Sequence, residues 1–95
     1  MEGYKLIDNK AKSRYEFKVG EYVPCIEYIT SNDNEIFLTH TLVPAPLRGQ
    51  GIGTQLVKET LENIKEKGMN LTPLCGFVIA YIQRYPEWKK IVKQP

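Results

Sequence analysis

Residues 48–54 read Arg-Gly-Gln-Gly-Ile-Gly-Thr, which places three glycines directly behind a cationic side chain. Glycine lets the backbone approach a ligand closely, and N–H groups at the start of a helix face outward at the positive end of the helix dipole. An amphipathic stretch follows immediately. The pattern therefore predicts a binding site for phosphate groups at the start of a helix, with a merely tight turn as the structural alternative.

The spacing of this loop excludes two familiar kinds of phosphate site. A dinucleotide fingerprint needs a small residue where the chain has Thr54, and it follows the first strand of a parallel sheet. A P-loop ends in Gly-Lys-Ser or Gly-Lys-Thr, and neither triplet occurs in the sequence.

Two further side chains can do chemistry. Cys75 precedes a predicted helix, whose dipole lowers the pKa of a thiol and favours the nucleophilic thiolate, so it can act as a covalent nucleophile. Cys25 we interpret as a small buried side chain. His40, the only histidine, can act as a base near neutral pH or be a hydrogen-bonded structural residue. For His40 to pair with Cys75, strand alternation must place both on the same side of the sheet.

The elements that must position these residues begin with strands. Alternation within residues 14–19 puts Arg14, Glu16 and Lys18 on the polar face, and Gly20 marks a tight turn. Short turns between strands predict an antiparallel meander, and Pro24 predicts an edge position or a bulge in its strand. The predicted strands are residues 4–9, 14–19, 21–30 and 35–43.

Helical spacing replaces alternation in the second half. Apolar residues recur every three to four positions from Gly51 onward, and Gly68 is placed to end this helix. Residues 69–73 predict a strand parallel to residues 35–43. A second helix is predicted for residues 76–85, followed by a short tail whose Trp88 caps the core. The expected fold class is α+β in two layers, with a mainly antiparallel sheet of about five strands, one parallel pair and two main helices.

Length, charge and hydropathy narrow the class of protein. Ninety-five residues with 42% hydrophobic content fit one domain, placed at residues 1–95. A net charge of +2 is too balanced to suggest nucleic-acid binding, and no apolar run reaches the roughly 18 residues of a membrane span. No signal peptide is recognisable, so we expect a cytoplasmic protein. Two distant cysteines and one histidine do not supply four zinc ligands without carboxylates, and we expect neither a metal nor a disulfide.

The glycine loop and its surroundings resemble the GNAT superfamily of N-acetyltransferases. Arg48, Gly51 and Gly53 fit its pyrophosphate pattern, Arg/Gln-x-x-Gly-x-Gly/Ala. Residues 40–57 resemble the His-Thr-x-Val-x-x-x-x-Arg-Gly-x-Gly-Ile run of a short single-domain subfamily. Residues 73–88 resemble its Pro-Leu-Cys-x-Phe-x-x-x-Tyr-Ile-x-x-His-Pro-Glu-Tyr run. The resemblance covers nearly the whole chain, with Tyr and Gly standing at positions 85 and 76 where the subfamily usually has His and Pro.

The resemblance implies which residues bind acetyl-CoA. The backbone N–H groups of residues 50–54 would hold the pyrophosphate with Arg48 close by, and the main chain of Leu42 and Val43 would pair with the pantetheine arm. The implied cofactor-binding residues are Leu42, Val43, Arg48, Gly49, Gln50, Gly51, Ile52, Gly53 and Thr54.

The thioester of acetyl-CoA would lie near Cys75. This thiol would take the acetyl group before an amine does, or would only line the pocket while the amine attacks acetyl-CoA directly. Tyr81 is a candidate acid for the departing CoA thiolate or a core aromatic. We interpret Phe77, Val78 and Ile82 as packing residues.

The resemblance thus implies an acetyl-CoA-dependent N-acetyltransferase, with a CoA or acyl-CoA binding module without turnover as the alternative. Larger relatives insert helices between their first two strands, whereas residues 9–13 leave no room for such a lid. The acceptor side is therefore expected to be open, which suits a protein side chain or a polyamine. An exposed edge strand leaves a monomer or a weak dimer as the expected state.

Overall fold

Residues 4–93, which the computed structural model describes, form five strands and two α-helices in the predicted order. Residues 1–3 and 94–95 of the predicted domain lie outside the described residues. Two 3-10 helices, Ala45–Leu47 and Pro86–Ile91, precede α1 and follow α2. The other elements are β1 Ile7–Asn9, β2 Arg14–Glu16, β3 Cys25–Thr30, β4 Glu35–Leu42, α1 Ile52–Glu66, β5 Asn70–Pro73 and α2 Gly76–Arg84.

All five strands belong to one sheet in the order β1-β2-β3-β4-β5. The first four pair antiparallel, and β4 pairs parallel with β5, from Glu35 opposite Asn70 to Leu38 opposite Pro73. This arrangement confirms the predicted α+β fold class, because short turns connect the antiparallel strands and α1 provides the long connection that a parallel pair needs.

Both α-helices lie on one face of the sheet. Strand–helix–strand connections between parallel strands are right-handed. The chain passes from β4 through α1 to β5, and from β5 through α2 to Val92, which pairs parallel with Leu71. Two crossovers of the same hand in the same direction place both helices on one face. The two helices contact each other as well as β3, β4 and β5. The buried face of α1 supplies five of the fourteen buried residues in the core cluster of residues 4–93, as its spacing predicted. Gly68 follows the helix with a φ of 68°. The buried residues of α1 are Ile52, Gly53, Leu56, Val57, Thr60, Leu61 and Ile64.

The strand prediction is wrong in several bounds and in the position of Pro24. The strands predicted for residues 4–9 and 21–30 begin only at Ile7 and Cys25. The second strand ends at Glu16 rather than at residue 19. The Glu16 side chain is only 4% exposed, and hydrogen bonds from Asn9 and Arg14 take the place of solvent around its carboxylate. Pro24 lies neither at a sheet edge nor in a bulge: it precedes β3, a central strand, and its carbonyl accepts a hydrogen bond from Phe17. Because Pro24 precedes the strand, no hydrogen bond within β3 requires the N–H that proline lacks.

The bulge lies in β4 instead. Glu27 pairs with His40 and Tyr28 pairs with Leu38, so that one step along β3 corresponds to two steps along β4. Thr39 is the additional residue, and it interrupts the strict alternation of faces along β4. Beyond the bulge, Thr41 is the residue that pairs with the core residue Ile26, and His40 faces the other side of the sheet.

The buried carboxylate of Glu16 predicts an acid-sensitive fold. Burial tends to raise the pKa of Glu16, but hydrogen bonds from Arg14 Nε at 2.7 Å and Asn9 Nδ2 at 3.2 Å outweigh burial and lower it. A lowered native pKa stabilises the fold above the unfolded pKa, and this contribution is lost as the pH falls through the folded value. The free energy of unfolding should therefore decrease below about pH 4.5.

Urea unfolding of Glu16→Gln tests this prediction. The variant should lose about 1–3 kcal/mol of unfolding free energy at neutral pH, because Arg14 is left without its charged partner, and should depend less on acid pH. The exposed Glu21→Gln variant is the matched control and should change neither quantity. An unaltered acid dependence in Glu16→Gln would contradict the assignment.

Candidate functional site

The glycine loop connects the end of β4 to α1. Pro44 and Pro46 end the strand and form a 3-10 helix, after which Gly49 and Gly51 adopt positive φ angles of 83° and 77°. Gly51 is the N-cap residue of α1 and provides no side chain to bind the first turn of the helix. Both positions have only open space where a Cβ would lie, so glycine is required here by backbone conformation rather than by crowding.

The loop leaves a continuous run of backbone donors without partners. Within residues 4–93, the N–H groups from Gly49 to Thr54 donate to no protein acceptor. The first bond of the helix runs from Gln55 N–H to the carbonyl of Gly51, at 3.0 Å. Because free N–H groups at a helix N-terminus face outward at the positive end of the helix dipole, this run forms the kind of site that binds phosphate oxygens.

A cavity of about 380 Å³ lies between this loop, the end of β4 and the start of α2. Gly53 is required by close packing here: a Cβ would lie 3.0 Å from Phe77 Cζ and 3.2 Å from Val43 Cγ2. Phe77 is 44% exposed and forms one wall, so it does more than the packing predicted for it. The lining residues are Thr41, Val43, Leu47, Arg48, Gly49, Gly51, Ile52, Gly53, Thr54 and Phe77.

Two polar side chains of the loop bind the loop itself. Arg48 Nε donates to the carbonyl of Val43 at 3.1 Å, and Gln50 Nε2 donates to the carbonyl of Pro46 at 3.1 Å. These bonds fix the turn from both ends. Of the predicted cofactor-binding residues, Leu42 and Gln50 do not line the cavity, and Leu42 points to the opposite face of the sheet together with its partner Cys25.

Near Thr41, which lines the cavity, β4 and β5 separate. The last bond between the two segments runs from Leu74 N–H to the carbonyl of Leu38, at 2.9 Å. Beyond it, β4 continues to Leu42 with only β3 as a neighbour, and the chain after β5 turns into α2 at Cys75. The gap therefore exposes one edge of β4 beside the thiol.

Cys75 contacts Thr41 across this gap. The Thr41 hydroxyl lies 3.2 Å from Cys75 Sγ. Burial alone would raise the pKa of the Cys75 thiol, but the Thr41 hydroxyl, the backbone N–H groups of Val78 and Phe77 and that of Thr41 outweigh it and lower the pKa. The cause is a set of donors around one sulfur atom at a helix N-terminus, which favours the thiolate. Sequence reasoning missed Thr41, because the bulge that turns it toward Cys75 has no sequence signature.

His40 does not pair with Cys75. Its Nδ1 lies 3.4 Å from Oε1 of Glu27, and its side chain is 70% exposed on the face that carries no helix. Uninterrupted alternation from Leu38 would have put His40 on the helix-covered face, and the additional residue Thr39 reverses the sides. Of the roles left open for His40, activation of Cys75 is therefore not supported by this geometry, and the other two, a base for an amine and a structural histidine, stay predictions.

Tyr81 lies one turn of α2 beyond Phe77 and packs away from the cavity. Its ring centroid is 4.8 Å from that of Tyr85, and the Trp88 indole donates toward its oxygen. Burial raises the pKa of Tyr81. This position favours the interpretation as a packing aromatic. Val78 and Ile82 are core residues, as expected.

No group of three His, Cys, Asp or Glu side chains between residues 4 and 93 is arranged to hold a metal ion. None of the helices in this part is long and apolar enough to cross a membrane. Cys25, 2% exposed, and Cys75 are both free thiols.

Comparison with known proteins places the loop and Cys75 inside a known family. A family profile described as GCN5-related N-acetyl-transferase matches residues 14–91. The NMR solution structure of a proposed GCN5-like N-acetyltransferase from Staphylococcus aureus matches with a TM-score of 0.72 at 22% sequence identity, over 100% of this chain and 93% of that chain. The structural likeness confirms the expected fold. Membership of a Pro-Leu-Cys subfamily stays a prediction.

The surroundings of Cys75 predict selective alkylation at lower pH than an ordinary thiol requires. The rate of reaction with iodoacetamide should follow the thiolate fraction of Cys75, whereas the buried Cys25, whose pKa is raised by burial, should react only on unfolding. Thr41→Val removes the hydroxyl donor and should move the rate profile of Cys75 to higher pH. Mass spectrometry of alkylated peptides measures both rates.

Thr39→Val is the matched control, because its hydroxyl donates to the carbonyl of Glu27 and not to the thiol. A Thr41→Val profile that coincides with those of the wild type and Thr39→Val would contradict the role given to the Thr41 hydroxyl.

Proposed function

Because this chain belongs to the GCN5-related N-acetyltransferase family, we propose that it transfers the acetyl group of acetyl-CoA to an amine. The observation that carries the proposal is the run of unpartnered N–H groups from Gly49 to Thr54, which opens into the cavity beside β4. Amide donors at the positive end of a helix suit a pyrophosphate, which is the polar centre of CoA.

The donor is proposed to lie along the cavity. Its pyrophosphate contacts the loop amides, and the guanidinium of Arg48 adds positive charge at the rim while its Nε holds the turn. The pantetheine arm carries amides of its own, which suit the open edge of β4 near Val43. The carbonyl of Val43 already accepts one hydrogen bond from Arg48 and has a second lone pair for another donor.

We favour a covalent route through Cys75 over direct attack by the amine. The thiolate attacks the thioester carbonyl, a C–S bond to Cys75 forms, and the C–S bond to CoA breaks. CoA leaves as a thiolate and takes a proton from solvent. The observation in favour is the set of donors around Cys75, with Thr41 at 3.2 Å, which makes the thiolate available without a histidine.

In the second step an unprotonated amine attacks the acetyl group on Cys75. An amide forms, the C–S bond to Cys75 breaks, the amine nitrogen loses one proton to solvent, and the sulfur returns to the thiolate that Thr41 and the helix N-terminus stabilise. His40, on the other face of the sheet, is proposed as the base that serves the amine rather than the thiol. The described elements act together as a single transferase unit.

Titration with CoA, followed by amide resonances in NMR spectra, tests the donor site. The resonances of Gly49, Gly51 and Gly53 should shift on adding CoA. Gly51→Ala should weaken CoA binding roughly tenfold, because a Cβ would enter the space in front of the amides and strain the turn.

Gly68→Ala is the matched control, since Gly68 has a similar positive φ and open surroundings at the other end of α1. It should lower stability as Gly51→Ala does and leave CoA affinity unchanged. Equal affinity of both variants, or loop resonances that do not move with CoA, would refute the proposed donor site.

Intact-mass spectrometry after incubation with acetyl-CoA tests the covalent route. One acetyl adduct should form on the wild type and on Cys25→Ala, and none on Cys75→Ala. Transfer to an amine by Cys75→Ala at the wild-type rate would establish direct attack. CoA binding with neither an adduct nor transfer would leave a binding module without turnover.

A further inference from the structure

The face of the sheet that carries no helix has a cavity of its own at the end of β4. It measures about 370 Å³, and we call it the arginine cavity because its charged lining residues are Arg14 and Arg48. We propose that this cavity binds a short aliphatic carboxylate, and that its occupant weakens the binding of CoA. The first half of the proposal stands on the cavity alone, and the second half rests on the proposed function. The lining residues are Arg14, Val23, Cys25, Thr41, Leu42, Val43, Pro44 and Arg48.

Strand alternation places the arginine cavity on the face opposite the helices. Arg14 adjoins the core residue Tyr15 on β2. Cys25 adjoins the core residue Ile26 on β3, and it pairs with Leu42 on β4. Because successive side chains along a strand point to opposite faces, the neighbours of these core residues point away from the helices.

Both guanidinium groups retain donors for a ligand. Arg14 Nε donates to Oε2 of Glu16 at 2.7 Å, and the thiol of Cys25 lies near the same guanidinium. Arg48 Nε donates to the carbonyl of Val43 at 3.1 Å. A guanidinium has five N–H donors in a planar fork, so each arginine keeps N–H groups that match the two oxygens of a carboxylate.

The charge around the arginine cavity suits a ligand with a single negative charge. The carboxylate of Glu16 neutralises Arg14 from the buried side, with only 5% of its side chain exposed, and does not line the cavity. Glu27 pairs with Arg14 across the strands and does not line the cavity either, and its side chain is 42% exposed, so that water screens its charge. Two cations and one closely bound anion leave an excess of one positive charge.

The other walls of the arginine cavity favour an alkyl chain over a phosphate. Val23, Leu42 and Pro44 are apolar, and Leu42 is 49% exposed. Burial against such walls is favourable for methylene groups and costs a strongly hydrated anion part of its hydration. A carboxylate group on a chain of a few carbon atoms satisfies both the guanidinium groups and the apolar walls.

Arg48 connects this site to the donor cavity, because it lines both. Its bond to the carbonyl of Val43 fixes the side chain, so one guanidinium lies beside both anions when both cavities are filled. The two anions repel each other. An occupant of the arginine cavity therefore weakens the binding of CoA, and CoA weakens the binding of that occupant by the same factor.

Titration with butyrate in the absence of CoA, followed by NMR, tests the site. The amide resonances of Val23, Cys25 and Leu42 and the Nε–H resonance of Arg14 should shift and saturate with butyrate. They should not shift with butyramide, which has the same chain without the charge, and inorganic phosphate should bind more weakly than butyrate.

Arg14→Lys should weaken the binding of butyrate about three- to tenfold, because one ammonium group cannot present a fork to both Glu16 and the ligand. Arg84→Lys is the matched control, since it makes the same exchange at an exposed position of α2, and it should leave the affinity for butyrate unchanged.

Val23→Thr tests the site without disturbing the ion pair of Arg14 and Glu16. A hydroxyl replaces a methyl group in an apolar wall, so the affinity for butyrate should fall about two- to threefold at unchanged charge. An affinity equal to that of the wild type would contradict the role of the apolar walls.

Titration with CoA at saturating butyrate tests the coupling through Arg48. The dissociation constant of CoA should be about two- to threefold higher than in the absence of butyrate, and butyramide should not change it. A dissociation constant that butyrate leaves unchanged would overturn the coupling.

The carboxylate site is overturned if the resonances do not follow butyrate, or if butyramide or phosphate binds as tightly as butyrate. It is also overturned if Arg14→Lys and Arg84→Lys bind butyrate equally well. Failure of CoA to shift the loop resonances refutes the proposed donor site instead, and the binding of butyrate is measured without CoA. The two proposals therefore fail by different measurements.

Discussion

The separation of β4 and β5 beyond Leu38 is the constraint on which the site depends. β5 ends at Pro73, which has no N–H to donate, and the carbonyl of Leu38 accepts the last bond, from Leu74. Because both parallel strands end at the same edge of the sheet, the helices that follow them start there too. The N-termini of α1 and α2 therefore meet at one gap, so that unpaired amide donors and a stabilised thiolate arise from a single feature of topology.

The bulge at Thr39 divides this gap between two faces. Without it, His40 would face the helices beside Cys75, and Thr41 would face solvent. With the bulge, the neutral hydroxyl of Thr41 contacts the sulfur of Cys75, and the imidazole of His40 lies beside Glu27. For the proposed transfer this separation is chemically coherent, because a thiolate needs donors to stay ionised whereas an amine needs an acceptor for its proton.

Sequence patterns predicted the fold well because each element rests on periodicity. Alternation, helical spacing from Gly51 and the stop at Gly68 all reflect contacts between neighbours in the chain. The loop amides were also predictable, since a helix start with glycines leaves donors free whatever packs around it. Three features could not be predicted from the sequence: the bulge, the burial of Glu16 and the cavity wall formed by Phe77. Each of them depends on which residues lie opposite in space.

The two ends of α1 differ in a way that argues for function at one of them. At the C-terminal end the polar groups are satisfied: Asn34 Nδ2 donates to the carbonyl of Gly68 at 2.8 Å, Lys67 pairs with Asp8 at 2.9 Å, and Tyr28 donates to the same carboxylate at 2.5 Å. At this end of the helix, side chains from elsewhere in the chain thus provide hydrogen-bond partners for polar groups. At the N-terminal end Arg48 and Gln50 bind carbonyls instead and leave the N–H groups unpaired. The N-terminal end lies beside a cavity, and free N–H groups at the positive end of a helix dipole are the kind of donor set that an anionic ligand completes.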